Sequence, residues 1–419
     1  MPETTRTELG GRIAIGRRAV LATLGAAGLL AGLAGALPAL AQDLKELEVS
    51  VGRQPWAAGN SPITQYMIDN ELFEQHAREF GYDLTIDYRD YPSAMPQVEA
   101  FVGGNLDFGM WGNTPIIRGI AQEQPWTVLN VGEGHFRFII VARPDSDIHN
   151  VEDLKGRTIG ALFGGDPYNA LSQILLGELG SGDPREHGIN LVNVPSGAQA
   201  ATVPQGMDAA ITTYPHFLTA QEEVGTVGIV NSFGYTEEHY QGPAGEGAGH
   251  MLESVKASKF YPDGYYLHRS FWVVQDSVLD EHPDVVVAFI AAQQQAVEEL
   301  SAQSPEEIAQ IAEEYWKLPP EQGAKVVGDE VLFIRGWVWP TEGDASALLE
   351  ISRFMVAGGL IEEPLEWEQV KDAFSKGADL QERAWEQSGR VPPTEAFQAT
   401  DAQDIRGLPV WQMEQWQDR

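Results

Sequence analysis

Two segments of the chain combine residue types that can hold a small solute. The first runs from Gly104 to Pro115 and reads GNLDFGMWGNTP, and the second runs from Gly206 to Pro215 and reads GMDAAITTYP. In each segment, Gly ends a helix, Asp precedes a short apolar strand, and Pro opens the next helix behind a small polar loop. The backbone N–H groups at such a helix start are electropositive and can bind an anion. The alternative interpretation is that both segments are scaffold units without a function.

The polar loops of both segments are predicted to lie at the carboxyl ends of strands, where open α/β sheets bind ligands. One such loop on each of two lobes predicts a ligand gripped between the lobes. The predicted binding residues of the two loops are Trp111, Gly112, Asn113, Thr114, Thr213 and Tyr214. Two alternatives stay open, because Asn113 and Thr114 can cap their own helix and Trp111 can belong to the core.

Two further loops contribute candidates. Gln54 and Trp56 follow the first predicted strand and are expected at the cleft rim, where Trp56 either stacks on a ligand or covers the edge of the core. Gly165 allows either a close approach of the backbone to a ligand or only a tight turn. Asp166 begins a predicted helix, and it is either the N-cap or a ligand contact that favours an amine, as in taurine. Tyr168 is predicted to be a cleft aromatic.

Several other chemically capable residues are assigned to the scaffold. Asp107 and Asp208 are expected to hold turns. His216 is expected on a helix surface, and a ligand contact is the alternative. Trp337 and Trp339 are two residues apart, so on a strand they would share a face. They are expected to pack the C-terminal helices rather than to form an aromatic cage for a cation.

These loops need a scaffold of alternating strands and helices, and the sequence periodicity predicts one. Residues 45–142 read as strands and helices in β-α-β order, and residues 151–231 repeat that order. The order predicts an α/β fold with two lobes, each a mostly parallel sheet flanked by helices. The chain from residue 282 onward is mainly helical.

The chain is predicted to cross between the lobes near residues 143–146 and again near 268–271. Lobe I would then comprise residues 42–142 and 268–390, and lobe II residues 143–267. Residues 391–419 would form a C-terminal tail. A chain of 419 residues is long for one domain, which agrees with two lobes.

Residues 1–41 have the features of an export signal. A basic segment precedes an apolar stretch, and residues 39–41 read A-L-A, which matches the rule for signal cleavage. The mature chain is then predicted to start at Gln42. A membrane span is the competing interpretation, which the scarcity of bulky residues disfavours. The pair Arg17-Arg18 is similar to a twin-arginine signal but its surroundings depart from that pattern, so twin-arginine and Sec export both stay open.

The chain contains no cysteine and carries a formal net charge of −34, which becomes −36 without residues 1–41. The lack of cysteine excludes a lipoprotein anchor, disulfides, thiolate zinc sites and a cysteine nucleophile. A surface this acidic repels nucleic acid and anionic lipid, so any anion site has to be built locally. No metal or cofactor is expected, since the histidines lack metal-ligand spacing and no phosphate-binding loop motif occurs. No stable membrane insertion is expected after residue 41, because no later segment is apolar enough.

Six short motifs occur in the order in which one protein family has them. They are G-R-Q-P at 52–55, G-x-x-D-F-G at 104–109, G-N-T-P at 112–115, D-L-K-G-R-T-I-G at 153–160, G-G-D-P-Y at 164–168 and G-x-D-A-A at 206–210. With these motifs, residues 45–300 resemble the nitrate/sulfonate/taurine group of periplasmic solute-binding proteins of ABC transporters.

The resemblance implies a type II periplasmic-binding-protein fold with a ligand cleft between the lobes and no catalysis. It also implies a small organosulfonate, taurine-like or related anionic or zwitterionic solute, and an ABC permease with its ATPase as partner in the periplasm. The protein is expected to be a monomer. The chain departs from the family at Asp166, where the family often has Ser or Thr, and in the extra segment 233–268. Two alternatives stay open: an extracytoplasmic ligand sensor, or an enzyme resembling the thiamine-pyrimidine synthases, whose Cys-rich motif is missing here.

Overall fold

Two five-stranded sheets organise the computed structural model of this chain. The structure describes residues 44–54, 61–133, 138–231, 269–316, 319–320, 338–387 and 407–416. The first sheet defines lobe I, and its strands β1–β4 and β10 are Lys45–Arg53, Tyr82–Asp90, Phe108–Gly112, Trp126–Glu133 and Ser270–Gln275. The second sheet defines lobe II, and its strands β5–β9 are Phe138–Ala142, Thr158–Ala161, Asn190–Asn193, Ala209–Thr213 and Val227–Asn231.

Both sheets have the same topology. The strand order is β2-β1-β3-β10-β4 in lobe I and β7-β6-β8-β5-β9 in lobe II. In each sheet the fourth strand in that order, β10 or β5, runs antiparallel to both of its neighbours, and the other pairings are parallel. The prediction of two mostly parallel sheets in an α/β fold is therefore confirmed.

Helices cover the sheets and form most of the C-terminal part. Helices α1–α7 are Ser61–Asp69, Leu72–Glu79, Ala94–Val102, Asn113–Ala121, Asp166–Leu179, Gly197–Ala201 and Tyr214–Val224. Helices α8–α13 are Asp276–Glu281, Pro283–Ser301, Pro305–Trp316, Glu342–Ala357, Trp367–Ser375 and Ala378–Gln387. Among the residues that the structure describes, none of these helices is long and apolar enough to cross a bilayer.

An aspartate holds the start of the central strand in both lobes. The Asp107 carboxylate, just before β3, accepts hydrogen bonds from Ser50 N at 2.7 Å and Ser50 Oγ at 2.8 Å on β1. The Asp208 carboxylate, just before β8, accepts one from Thr158 N on β6 at 2.8 Å. The prediction that both aspartates hold turns is confirmed, so this part of the doubled pattern serves the scaffold.

Helix α11 contacts both lobes. It packs on α5 of lobe II and on α4 and α12 of lobe I. Tyr168 on α5 donates its hydroxyl to Gly358 O, just beyond α11, at 3.1 Å. A Cβ at Gly358 would lie only 2.5 Å from Ser172 Oγ on α5, so glycine allows this close approach.

An aromatic cluster holds the C-terminal helices and residues 407–416 to lobe I. Trp339 is fully buried, and its ring centroid lies 4.4 Å from that of Trp385. Trp411 packs against Trp385 with a centroid distance of 5.7 Å, and Trp416 is buried as well. The prediction that Trp339 packs the C-terminal helices is confirmed.

Three predictions about elements are wrong. The apolar run predicted as the last strand of lobe I is β5, which pairs with β8 and β9 in the second sheet. The chain therefore changes sheet before Phe138, not near 143–146. The single helix predicted over residues 62–80 is broken between α1 and α2, where Glu71 adopts a left-handed φ of 50°. Helix α13 was not predicted.

Several predictions concern residues outside those that the structure describes. They are the export signal at 1–41, Trp56, Trp337, the segment 233–268 and residues 391–406 and 417–419 of the tail. These remain predictions from sequence.

Candidate functional site

A cavity lies between the two lobes, at the carboxyl ends of strands from both sheets. Its volume is about 60 Å³, which is room for a few ordered water molecules. Lobe I contributes Gln54, Ser93, Ala94, Met110, Trp111 and Gly112 to its lining. Lobe II contributes Gly165, Asp166, Pro167, Gly197, Thr213 and His216, among others. Open α/β sheets bind ligands at this edge, so the cavity is the candidate site.

Strands run directly into helices at the borders of this cavity. Strand β3 passes into α4 and β8 into α7, so the small polar loops predicted at both places do not form. Gly112, Gly165 and Thr213 are the N-caps of α4, α5 and α7, and none of them caps its helix through a side chain. Helix starts from both lobes therefore bring to the cavity N–H groups that their own N-cap residues do not satisfy.

Asp166 crosses the cleft from lobe II to lobe I. It is the first residue of α5, and only 7% of its surface is exposed. Its Oδ1 accepts a hydrogen bond of 2.7 Å from the backbone N–H of Thr114, in the first turn of α4. The prediction that Asp166 is the N-cap of its own helix is wrong. Its carboxylate serves the helix of the opposite lobe.

Glycines allow the lobes to approach each other beside this hydrogen bond. A Cβ at Gly112 would overlap the second carboxylate oxygen of Asp166. At Gly164, which has a left-handed φ of 76°, a Cβ would lie 3.0 Å from Arg118 Nη1 on α4. A side chain at Gly112 would therefore prevent the lobes from closing to this distance.

Burial controls the protonation of the two titratable groups that line the cavity. Desolvation raises the pKa of Asp166 from the ordinary 3.8 to about 6, although the hydrogen bonds from Thr114 lower it. Desolvation lowers the pKa of His216 to about 4, so this imidazole is neutral at pH 7. Among the described residues, neither Lys nor Arg lines the cavity. Among the described lining residues, the Asp166 carboxylate therefore has no cation beside it.

The raised pKa of Asp166 predicts a pH-dependent cost in stability. The Asp166 carboxyl holds its proton more tightly in the folded state than in the unfolded state. Below about pH 4 it is protonated in both states and does not reduce the unfolding free energy. Between about pH 4 and pH 6 the reduction grows, because burial disfavours the ionised form. Asp166→Asn removes the titration while keeping an acceptor for Thr114 N. We expect the variant to gain up to about 2–3 kcal/mol in unfolding free energy over the wild type above pH 6.

Urea unfolding at pH 4, 5, 6 and 7.5 measures this difference. The gap between Asp166→Asn and wild type should be smallest at pH 4 and constant above about pH 6.5. Glu223→Gln on the exposed side of α7 is the matched control and should show no such trend. A gap that is the same at every pH would contradict the burial of an ionised Asp166.

The structure brings most of the predicted site residues to the cavity. Gln54, Trp111, Gly112, Gly165, Asp166 and Thr213 all line it. Gln54 is anchored, since its Nε2 donates to Met110 O at 2.8 Å and to Gln97 Oε1 at 2.7 Å. The Trp111 ring packs in the core, 5.2 Å from the ring of Phe101, so it forms a wall rather than a free stacking surface.

Four predicted site residues lie elsewhere. Asn113 and Thr114 are buried at the start of α4 and do not contribute to the cavity wall, although Thr114 N meets Asp166. Tyr168 bonds to Gly358 instead of facing the cleft. Tyr214 packs against Phe217 at a ring distance of 5.7 Å. Neither tyrosine is among the lining residues of the cavity, and the ligand contacts predicted for them stay a prediction.

Sequence reasoning missed other lining residues. Ser93 and Ala94 begin α3 after β2, and Gly197 begins α6 after β7. All three could have been predicted from their position, because each follows the carboxyl end of a parallel strand. His216 was predicted on a helix surface but lines the cavity, where a Cβ at Gly197 would lie 2.6 Å from its ring.

Thr213 has the side chain best placed to bind a solute. It lines the cavity, is 9% exposed, and its hydroxyl has no hydrogen-bond partner among the described residues. A buried hydroxyl without a partner is costly, so a bound solute would satisfy it. Among the residues that the structure describes, no group of His, Asp and Glu side chains is arranged to hold a metal ion.

A protein-family model described as NMT1/THI5 like matches residues 81–308, just over half of the chain. Comparison with curated protein sequences gives no significant match.

Solved structures share the fold. The alkanesulfonate-binding protein SsuA from Xanthomonas axonopodis pv. citri, bound to MOPS, aligns with a TM-score of 0.56 at 16% identity, covering 78% of this chain and 97% of that one. The periplasmic aliphatic sulphonate-binding protein SsuA from Escherichia coli gives 0.52 at 16% identity, covering 77% and 91%. The periplasmic nitrate-binding protein NrtA from Synechocystis PCC 6803 gives 0.57 at 14% identity, covering 84% and 92%. The predicted periplasmic-binding-protein fold is thereby confirmed.

Proposed function

The chain belongs to the NMT1/THI5-like family, and on that premise we propose that it is the extracytoplasmic solute-binding component of an ABC importer. It captures a small solute between its lobes by closing around it, and delivers the solute to a permease with its ATPase. One observation carries this proposal: the cavity at the strand ends is lined from both lobes, and Asp166 meets Thr114 across it.

The proposed solute is a small organosulfonate, a taurine-like compound or a related anionic or zwitterionic molecule. A cavity of about 60 Å³ suits a solute of few atoms. The starts of α5 and α7 beside it supply N–H groups for an acidic group, and Thr213 supplies a hydroxyl. Structural neighbours that bind alkanesulfonate and nitrate support this class.

The protein is proposed to act in the periplasm as a monomer, after removal of residues 1–41. The net charge of −36 without residues 1–41 argues against a nucleic-acid partner. We assign it binding without catalysis. Among the lining residues described, Asp166 and His216 are the titratable ones, and the pKa of each is shifted by burial rather than by the other.

Calorimetry with the mature protein tests the proposal. Taurine, ethanesulfonate, methanesulfonate and nitrate are titrated into protein dialysed in a buffer free of sulfonates, sulfate and phosphate. The proposal expects saturable binding of at least one compound with one site per chain. Turnover of a bound compound would instead indicate an enzyme, and no binding of any compound together with no solute in the purified protein would refute solute capture.

Thr213→Val should weaken binding of the best compound in this panel by about 2- to 15-fold, the cost of one lost hydrogen bond. The change keeps the shape of the side chain, so the melting temperature should stay nearly constant. Thr219→Val on the same helix is the control, because that hydroxyl bonds to Pro215 O at 3.1 Å and does not line the cavity. Equal affinities of the two variants would show that Thr213 does not contact the solute.

A further inference from the structure

Asp166 places a negative charge where the opposite lobe would otherwise receive an anion. The first turn of α4 offers Thr114 N–H toward the cleft, and Gly112, the N-cap of this helix, provides no side-chain acceptor. Asp166 Oδ1 takes that N–H at 2.7 Å. The second carboxylate oxygen lies against Gly112, at the position that a Cβ would fill. We call the start of α4 at Gly112 and Thr114 the anion seat, because an anion could bind the N–H group there. The Asp166 carboxylate occupies this seat.

Among the residues that the structure describes, the surroundings of Asp166 offer hydrogen bonds but no countercharge. From α4 it receives the Thr114 N–H, and β3 presents only Gly112 to it. From α7 the cavity is faced by His216, which is neutral because burial lowers its pKa to about 4. Arg118, one turn further along α4, approaches Gly164 and is not among the lining residues described. Burial of this carboxylate is therefore only partly compensated.

An anion and a cation would meet this site differently. A bare oxyanion entering the closed cleft would have to displace the carboxylate or lie beside it, and like charges in a water-poor cavity repel strongly. A solute with an ammonium or another N–H donor would instead supply the missing countercharge. Its acidic group can then use the remaining helix starts and the Thr213 hydroxyl.

We infer that Asp166 determines specificity in this cleft: it occupies the anion seat of α4, so that the cleft rejects simple oxyanions and takes solutes that bring an N–H donor to its carboxylate. The inference rests on the proposed function, whose solute class includes both kinds of compound. It narrows that class to compounds with an amine or a similar donor.

Removing the carboxylate should open the seat to simple anions. Nitrate and methanesulfonate are titrated by calorimetry into wild type, Asp166→Ala and Asp166→Asn in Tris chloride buffer. Asp166→Ala exposes Thr114 N–H and should bind both anions at least tenfold more tightly than wild type. Asp166→Asn keeps an acceptor in the seat and should gain less than Asp166→Ala. Wild type that binds nitrate as tightly as Asp166→Ala would overturn the inference.

A matched pair of solutes tests the inferred preference for an N–H donor. Taurine and ethanesulfonate differ by one amine, and wild type should prefer taurine by at least tenfold while Asp166→Ala loses that preference. Equal or tighter binding of ethanesulfonate by wild type would overturn the inference and leave the proposed function standing. If wild type bound no compound and carried no solute, the proposed function would fail, and the anion gain of Asp166→Ala would still decide the role of Asp166.

Discussion

Gly112→Ala is expected to weaken solute binding by about 5- to 150-fold, which corresponds to the 1–3 kcal/mol cost of overpacking a closed contact. The added Cβ would overlap the Asp166 carboxylate from the opposite lobe. Gly112 has an ordinary extended backbone, with φ −79° and ψ −174°, so alanine causes no strain within lobe I itself. The whole effect should therefore appear in lobe closure. Calorimetry with the best compound of the panel measures it, and small-angle scattering should show a larger radius of gyration than for wild type.

Asp166→Ala is the control for the steric overlap in Gly112→Ala. Because the added methyl meets only the Asp166 side chain at overlapping distance, Asp166→Ala should relieve most of the effect of Gly112→Ala in the double variant. A Gly112→Ala effect of the same size in both backgrounds would mean that the lobes do not meet at this contact. Wild-type affinity in Gly112→Ala would contradict closure at Gly112 altogether.

Asp344→Ala is expected to destabilise the protein by about 3–5 kcal/mol, the cost of removing one member of a buried ion pair. Asp344 Oδ1 lies 3.1 Å from Arg269 Nε, and both side chains are only 1% exposed. Burial raises the pKa of Asp344, and Arg269 lowers it in turn. The second carboxylate oxygen accepts Thr341 N at 2.8 Å and so begins α11, the helix that contacts both lobes.

Urea unfolding at pH 7.5 measures this cost. Asp147→Ala breaks the exposed pair of Asp147 with Arg157 and should leave the unfolding midpoint almost unchanged, because solvent screens that pair. Arg269→Met with Asp344→Leu removes both buried charges and should recover much of the loss. If Asp344→Ala and Asp147→Ala unfolded at the same urea concentration, the pair would not hold α11 to β10.

The sequence predicted those elements of the scaffold that depend on local residue patterns. Alternating apolar residues and glycine stops predicted the parallel strands, and the repeated Asp107 and Asp208 pattern predicted the two strand starts that these residues hold. The same periodicity could not assign β5 to a sheet. A fully apolar run of five residues fits either sheet, and its partners β8 and β9 are defined only by tertiary pairing.

The sequence predicted where the candidate site lies, but it predicted only some of the contacts that its residues make. Gly112, Gly165 and Thr213 could be predicted because the carboxyl ends of parallel strands lie at one edge. The partner of Asp166 is 52 residues away in the opposite lobe, and that of Tyr168 is 190 residues away. Local sequence predicts an N-cap for the first and a cleft aromatic for the second, and it contains no signal for either tertiary partner.

Native mass spectrometry of wild type and Gly112→Ala, purified side by side without refolding, tests the central claim most directly. The claim is that a solute binds in the cavity between the lobes and is held there by closure at Gly112 and Asp166. Wild type should carry one small solute per chain that is released on denaturation, and Gly112→Ala should carry little or none. The same solute at the same occupancy in Gly112→Ala would contradict the claim.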